Sequence, residues 1–165
     1  MADLRVVLFE PEIPPNTGNV ARLCAAMDVE LNLVEPLGLS LSDRYLKRAG
    51  LDYWPHVRMR IWPDWHAFAT RAESAENERW VMSSARENPQ SCPLQHFSFR
   101  RSVCLVFGPE TRGLPQGILN ASPWHVRIPM RSMSDGGARS LNLSTAVGIV
   151  LYAALAGTGS LERWS

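Results

Sequence analysis

The chain has 165 residues, 45% of them apolar and 20% charged, an ordinary globular balance whose length fits one domain spanning residues 1–165 with a sizeable core. Its 17 basic and 16 acidic side chains leave a net charge of +1. That balance excludes a global electrostatic field for nucleic acid, so any basic surface must be local. All the basic residues except Lys47 are Arg, a bias that suits phosphate binding and that a GC-rich genome produces as readily.

In chain order, "RVVLF" (5–9) predicts a short strand ended by Glu-Pro, residues 16–27 a helix, and "LNLVEP" (31–36) a second strand ended by proline. "SDRYLKRAG" (42–50) predicts a helix capped by Ser42 and stopped by Gly50. "VRMRIW" (57–62) alternates like a strand with one wet face, and a helix follows over 63–73. Strands are predicted at 79–84 and 102–108, with an irregular, flexible stretch at 85–101 between them. A short helix at 115–121, a strand at 125–130 and an apolar helix at 141–157 complete the chain. Strands alternating with helices define an α/β class, a mostly parallel sheet flanked by helices. "SVCLVFG" is apolar almost throughout, as a strand covered on both faces requires.

The 141–157 run is only 17 residues long and contains Asn142, Ser144 and Thr145, so it reads as a buried helix and not a membrane span. Asp3, Arg5 and Glu10 interrupt the first apolar run, which argues against a signal peptide and for a cytoplasmic protein. Cys24, Cys92 and Cys104 are far apart, and Cys24 and Cys104 sit in apolar runs, the pattern of buried reduced thiols. His56, His66, His96 and His125 show no metal-ligand spacing, so no metal is expected.

Three strands end in dense sets of Gly, Pro and polar residues: "PEIPPNTGN" (11–19), "FGPETRGLP" (107–115) and "IPMRSMSDGGARSLNLS" (128–144). Ligands of parallel α/β sheets bind beyond the carboxyl ends of the strands, so three such loops predict one shared site. The fingerprints GxGxxG, GxxxxGK[ST] and GxSxG are all missing, which disfavours dinucleotide enzymes, P-loop NTPases and hydrolase triads.

"EPEIPPNTGNVARLCAA", "KRAGLDYW", "VFGPETRGLP" and "IPM…ARSLNLSTAV", in that order, resemble the successive motifs of the SPOUT superfamily of knotted S-adenosylmethionine-dependent RNA methyltransferases. Within it they are most similar to the branch that methylates the ribose 2'-oxygen at the tRNA wobble nucleotide, cytidine or modified uridine. The resemblance covers about residues 5–155. It implies a homodimer, a deep trefoil knot in the C-terminal half, S-adenosylmethionine held among the knot loops, and the tRNA anticodon stem-loop as partner.

Carried over position by position, the resemblance implies that Met82, Ser83, Gly108, Glu110, Ile128, Met130, Ser140 and Leu141 line the cofactor. A side chain at Gly108 would collide with a flat ligand approaching the backbone. Glu110 and Arg112 could equally form a structural ion pair, and Ser140 and Asn142 could simply cap the last helix. Asn19 and Arg22, three residues apart, share one helix face. The resemblance places them, with Ser140 and Asn142, at the reacting ribose. A guanidinium with a pKa above about 12 is a poor base, so Arg22 is read as orienting the ribose-phosphate and stabilising developing charge. Lys47, Arg48 and Arg112 are candidate RNA phosphate contacts. One departure stands out: the family's Ser-Arg-Ser is here Ala138-Arg139-Ser140, after a longer Arg131 to Gly137 loop. A 2'-O-methyltransferase for another tRNA or rRNA position, or a non-catalytic RNA-binding member of the fold, is the alternative reading.

Overall fold

The structure, a computed structural model, describes residues 3–38, 56–86, 88–131 and 140–165. The predicted helix at 42–50 with Ser42 and Gly50, the basic residues Lys47 and Arg48, and the Arg139 and Ala138 motif positions lie outside the described residues.

Seven parallel strands make one sheet: β1 (Asp3–Phe9), β2 (Glu30–Val34), β3 (Met59–Trp62), β4 (Arg79–Ser83), β5 (Ser91–Pro93), β6 (Ser102–Phe107) and β7 (Trp124–Arg127). Their spatial order is β3-β2-β1-β6-β4-β7-β5. Helices α1 (Pro14–Ala26), α2 (Trp65–Arg71), α3 (Gln116–Leu119) and α4 (Leu143–Gly157) connect or follow them.

Strand alternation sorts the side chains into two cores. Val6, Leu8, Leu31, Leu33, Val103, Leu105 and Phe107 face Val20 and Cys24 of α1 and Val147, Leu151 and Leu155 of α4. Val7, Phe9, Cys104 and Val106 point the opposite way, toward Phe68 of α2 and Ile118 and Leu119 of α3. Because both faces of the central strands are covered, "VCLVF" (103–107) is buried end to end, as its unbroken apolar run requires. Burial in these layers pushes the Cys24 thiol up to about 12. Burial also raises Cys104, so both remain inert thiols.

An aromatic cluster fills the second core, where Trp65 stands edge-on to Phe9 and Trp80 at 6.2 and 5.4 Å. Beside it lies a buried ion pair. Arg5 Nε and Nη2 donate to the Glu78 carboxylate at 2.8 and 2.6 Å, and Trp80 Nε1 donates to the same carboxylate at 3.0 Å. Burial alone would lower the Arg5 pKa, but the Glu78 hydrogen bond and the surrounding charges carry it upward.

Two expectations are corrected here. The described residues of the 85–101 stretch are not irregular throughout. They contain β5, which pairs with β7, and a single turn at Leu94–His96. Leu94 and Phe99 anchor the segment in the core, and Phe97 packs against Phe99 at 4.8 Å. An Asn88 side chain accepting the Gln90 N–H at 2.9 Å sets the turn before it. The first helix begins at Pro14, two residues earlier than expected. The two prolines are therefore the first helical residues, where a missing N–H costs nothing, and not a stiff exit from β1.

Arg5→Ala should cost about 3–5 kcal/mol in urea unfolding, because it strands the Glu78 carboxylate in the interior. Arg5→Met combined with Glu78→Leu should cost markedly less.

Candidate functional site

The three elaborate loops leave the carboxyl ends of β1, β6 and β7, and side chains tie them to one another. The Glu110 carboxylate accepts the backbone N–H of Glu12 at 3.1 Å and that of Ile13. In return, the Glu12 carboxylate accepts the Thr111 N–H at 2.9 Å and its hydroxyl at 2.7 Å. Those hydrogen bonds, from the Thr111 backbone first and its hydroxyl second, hold the Glu12 carboxyl below its ordinary value of 4.5. Glu110 also places an anion at the start of α1, where the helix dipole favours it. Its carboxylate is directed at backbone donors, so this cross-loop clamp takes the place of the alternative Glu110–Arg112 ion pair.

The third loop joins through Asn142 and Asn16. Asn142 caps α4: its Oδ1 accepts the Ser144 and Thr145 N–H groups at 2.9 and 3.3 Å and the Ser144 hydroxyl at 2.6 Å. Its amide donates to Oδ1 of Asn16, which is 5% exposed, at 2.8 Å. The start of the last helix is thereby tied to the start of the first. The Asn142 oxygen is thus committed to three donors.

A cavity of about 290 Å³ opens where the loops meet. Ser83 at the end of β4, Gly108 and Glu110 after β6, Ile128 and Met130 after β7, and Ser140 and Leu141 before α4 all line it. Of the residues assigned to the cofactor, only Met82 is elsewhere: it is fully buried in the second core, one residue short of the wall. Strand alternation explains the difference, since Met82 and Ser83 point to opposite faces. Arg112 stands exposed on the rim.

Gly108 lines the cavity and carries a further constraint of its own. A Cβ there would lie 2.4 Å from Leu114 N and 2.5 Å from Gly113 C, so the constraint is the chain's own turn. That turn closes through the Gly113 N–H donating to the Pro109 carbonyl at 2.9 Å, with Gly113 at φ +69°. Gly18 is likewise a buried residue within α1 and not part of a tight turn.

Asn19 and Arg22 both project from the exposed side of α1, and neither lines the cavity. The groups that sequence reasoning missed are Glu12, Asn16 and Thr111. Their only signal was two similar Pro-Glu loops, "EPEIPPN" and "GPETRG", whose carboxylates turn out to serve each other's backbone. A second cavity, of about 320 Å³ and lined by Arg5, Glu78, Asp28 and Arg58, lies at the opposite end of the sheet and contains none of these loops.

The open parallel sheet is an architecture that known proteins share with this one. The profile of the SpoU rRNA Methylase family matches residues 3–152, and the chain belongs to that family. A tRNA (cytidine(34)-2'-O)-methyltransferase of Yersinia pestis is 43% identical over 155 residues, 92% of this chain and 91% of the relative. A solved structure concerned with the 2-OH methylation of C/U34 on tRNA superposes with a TM-score of 0.85 at 42% identity, over 96% of this chain and 98% of that one. An AdoMet-bound rRNA methyltransferase from Sinorhizobium meliloti shares the fold with a TM-score of 0.78 at 23% identity, over 93% of this chain and 56% of that one.

Gly108→Ala should lower stability by about 1–3 kcal/mol or more in urea unfolding, because backbone atoms, not a movable side chain, meet the new methyl. The Glu12 clamp makes a pH prediction. With its folded pKa depressed, Glu12 contributes stability above its ordinary value of 4.5 and loses it as the pH falls through the lower folded value. The unfolding midpoints of wild type and Glu12→Gln should therefore differ by a constant amount at neutral pH and converge in acid below pH 4.5.

Proposed function

We propose that this chain transfers a methyl group from S-adenosylmethionine to the ribose 2'-oxygen of the tRNA wobble nucleotide, cytidine or a modified uridine at position 34. The observation that carries the reading is the convergence of the three loops on one cavity. The 43% identity, over nearly the whole chain, to a relative bearing that activity's name supports it.

The cavity fits the methyl donor in kind and roughly in size, since ligand pockets start near about 300 Å³ and are mostly apolar with a few polar groups. Ile128, Met130 and Leu141 offer apolar surface, Ser83 and Ser140 offer hydroxyls, and the Gly108 turn offers bare backbone. S-adenosylmethionine supplies the electrophilic methyl group when bound. The protein's part is positioning, which can contribute as much as about 7–11 kcal/mol in ideal cases.

Asn19 and Arg22 are proposed to face the incoming ribose and its phosphate from α1, with Ser140 across the rim. Arg22 orients the phosphate and stabilises charge developing on the 2'-oxygen without taking its proton. Asn142 sets the distance between this helix and the cavity through Asn16. Arg112, with Lys47 and Arg48, is proposed to contact phosphates of the anticodon stem-loop.

A homodimer is part of the proposal. Tyr152 and Ile149, three residues apart on α4, are 57% and 41% exposed, an apolar surface that a second copy would cover. A knotted C-terminal segment is supported by the strand order. β7 lies between β4 and β5, so the chain that joins those two strands has to cross β7. A tRNA substrate implies the cytoplasm. No helix among the described residues is long and apolar enough to cross a membrane.

Purified protein should transfer labelled methyl to tRNA, and nuclease digestion should release a 2'-O-methylated nucleotide mapping to position 34. A base-methylated product would refute the chemistry, and a methylated nucleotide elsewhere would refute the wobble assignment. Arg22→Ala should lower turnover by about 10²-fold or more while calorimetric binding of S-adenosylmethionine persists.

A further inference from the structure

At the amino end of the sheet, opposite the site above, a cavity of about 370 Å³ is lined by Arg79, Cys92, His96, Phe97, Arg100 and Trp124, among others. Four observations set it apart. Trp124 opens β7 yet is 36% exposed, with the Arg79 guanidinium carbon 4.0 Å from its ring centroid and Phe97 edge-on at 6.3 Å. Two guanidinium groups meet there, and no carboxylate is among the described residues lining the cavity. Burial, and then the charge of Arg100, lower the Arg79 pKa.

The fourth observation is a buried polar atom without a partner. His125, 2% exposed, is on the same wall, and its Nε2 lies 2.8 Å from both the Leu119 and Ser122 carbonyls. Two acceptors require the proton on Nε2, which makes Nδ1 an acceptor, and Nδ1 has no hydrogen-bond partner among the described residues.

We infer that Trp124, Arg79 and Arg100 form a second RNA contact, which takes one unpaired nucleotide with its base stacked on the Arg79–Trp124 pair and its phosphate against the arginines. Stacking platforms flanked by arginine are the means by which proteins hold unpaired bases without reading their sequence. Two unneutralised cations beside an accessible indole fit a nucleotide better than an apolar peptide, which would leave the charges unpaired. Strand β4 runs from Arg79 here to Ser83 at the first cavity, about 13 Å at the usual rise per residue, so one folded RNA can touch both. The inference rests on the reading that the substrate is RNA, and it adds a contact outside the methyl-transfer site.

Fluorescence anisotropy with an unmodified tRNA transcript tests it, together with labelled-methyl transfer and thermal melting of each variant. Trp124→Ala should weaken tRNA binding roughly tenfold, as loss of one stacked base does. Trp124→Phe should retain most of the affinity. Arg100→Ala should weaken binding several-fold and reduce the slope of log affinity against log salt by about 0.9, one phosphate contact. S-adenosylmethionine affinity should not change in any of them. If wild type binds tRNA and Arg100→Ala and Trp124→Ala bind it equally well, this inference is overturned and the proposed function stands. It is overturned as well if only Trp124→Ala loses affinity and its melting temperature falls with it. If wild type does not bind tRNA, both fall. If the variants weaken binding but wild type methylates no ribose, the contact stands and the proposed function falls.

Discussion

The site depends on a reciprocal pair of carboxylates. Glu110, after β6, accepts backbone N–H groups before α1, and Glu12, after β1, accepts the backbone and hydroxyl of Thr111. β1 and β6 are neighbours in the sheet, so their loops emerge side by side, each with polar backbone that the interior cannot satisfy. Each loop satisfies the other's donors, which turns two adjacent connections into one rigid wall. The Asn142–Asn16 bond then adds the third loop from the far end of the sequence.

This arrangement explains why a site can be assembled from loops at all. Loops are usually the mobile part of a domain. Here the prolines of α1 remove two N–H groups that would need partners, and Glu110 accepts from the backbone just ahead of them. The Gly108 turn closes so tightly that only a glycine fits beneath Leu114. The cavity walls are therefore set by backbone packing and hydrogen bonds at the strand ends. Asn19 and Arg22 on α1 and Ser140 and Arg112 at the cavity are exposed side chains carried by that framework. The opposite end of the sheet is built differently, from an accessible indole and two arginines with no carboxylate among the described residues around them.

Much of this is legible in one dimension. Alternating strand and helix patterns predict the parallel sheet, and the unbroken apolar run at 103–107 predicts a strand covered on both faces. Three polar loops after three strands predict one site, because the carboxyl ends of parallel strands lie on one edge. The misreadings share a cause. Met82 looks like part of the cofactor wall because its neighbour Ser83 belongs there, and strand alternation puts it in the core. The tight turn at Gly108 and the backbone donors that Glu110 holds are hidden as well, because a sequence does not show which backbone atoms lie nearby. Residues 85–101 lack periodicity, yet Leu94 and Phe99 pin them to the core and three of them pair with β7.

What the sequence determined by itself was the α/β class, the location of the site at the strand ends, and the pairing of Asn19 with Arg22 on one helix face. These follow from local periodicity and from backbone chemistry that any fold must respect. Tertiary structure alone decided the strand order β3-β2-β1-β6-β4-β7-β5, the Glu12–Glu110 exchange and the Asn142–Asn16 tie. Those contacts join residues about a hundred positions apart. Their energy exists only once the sheet has brought the strand ends together, and no local propensity encodes it.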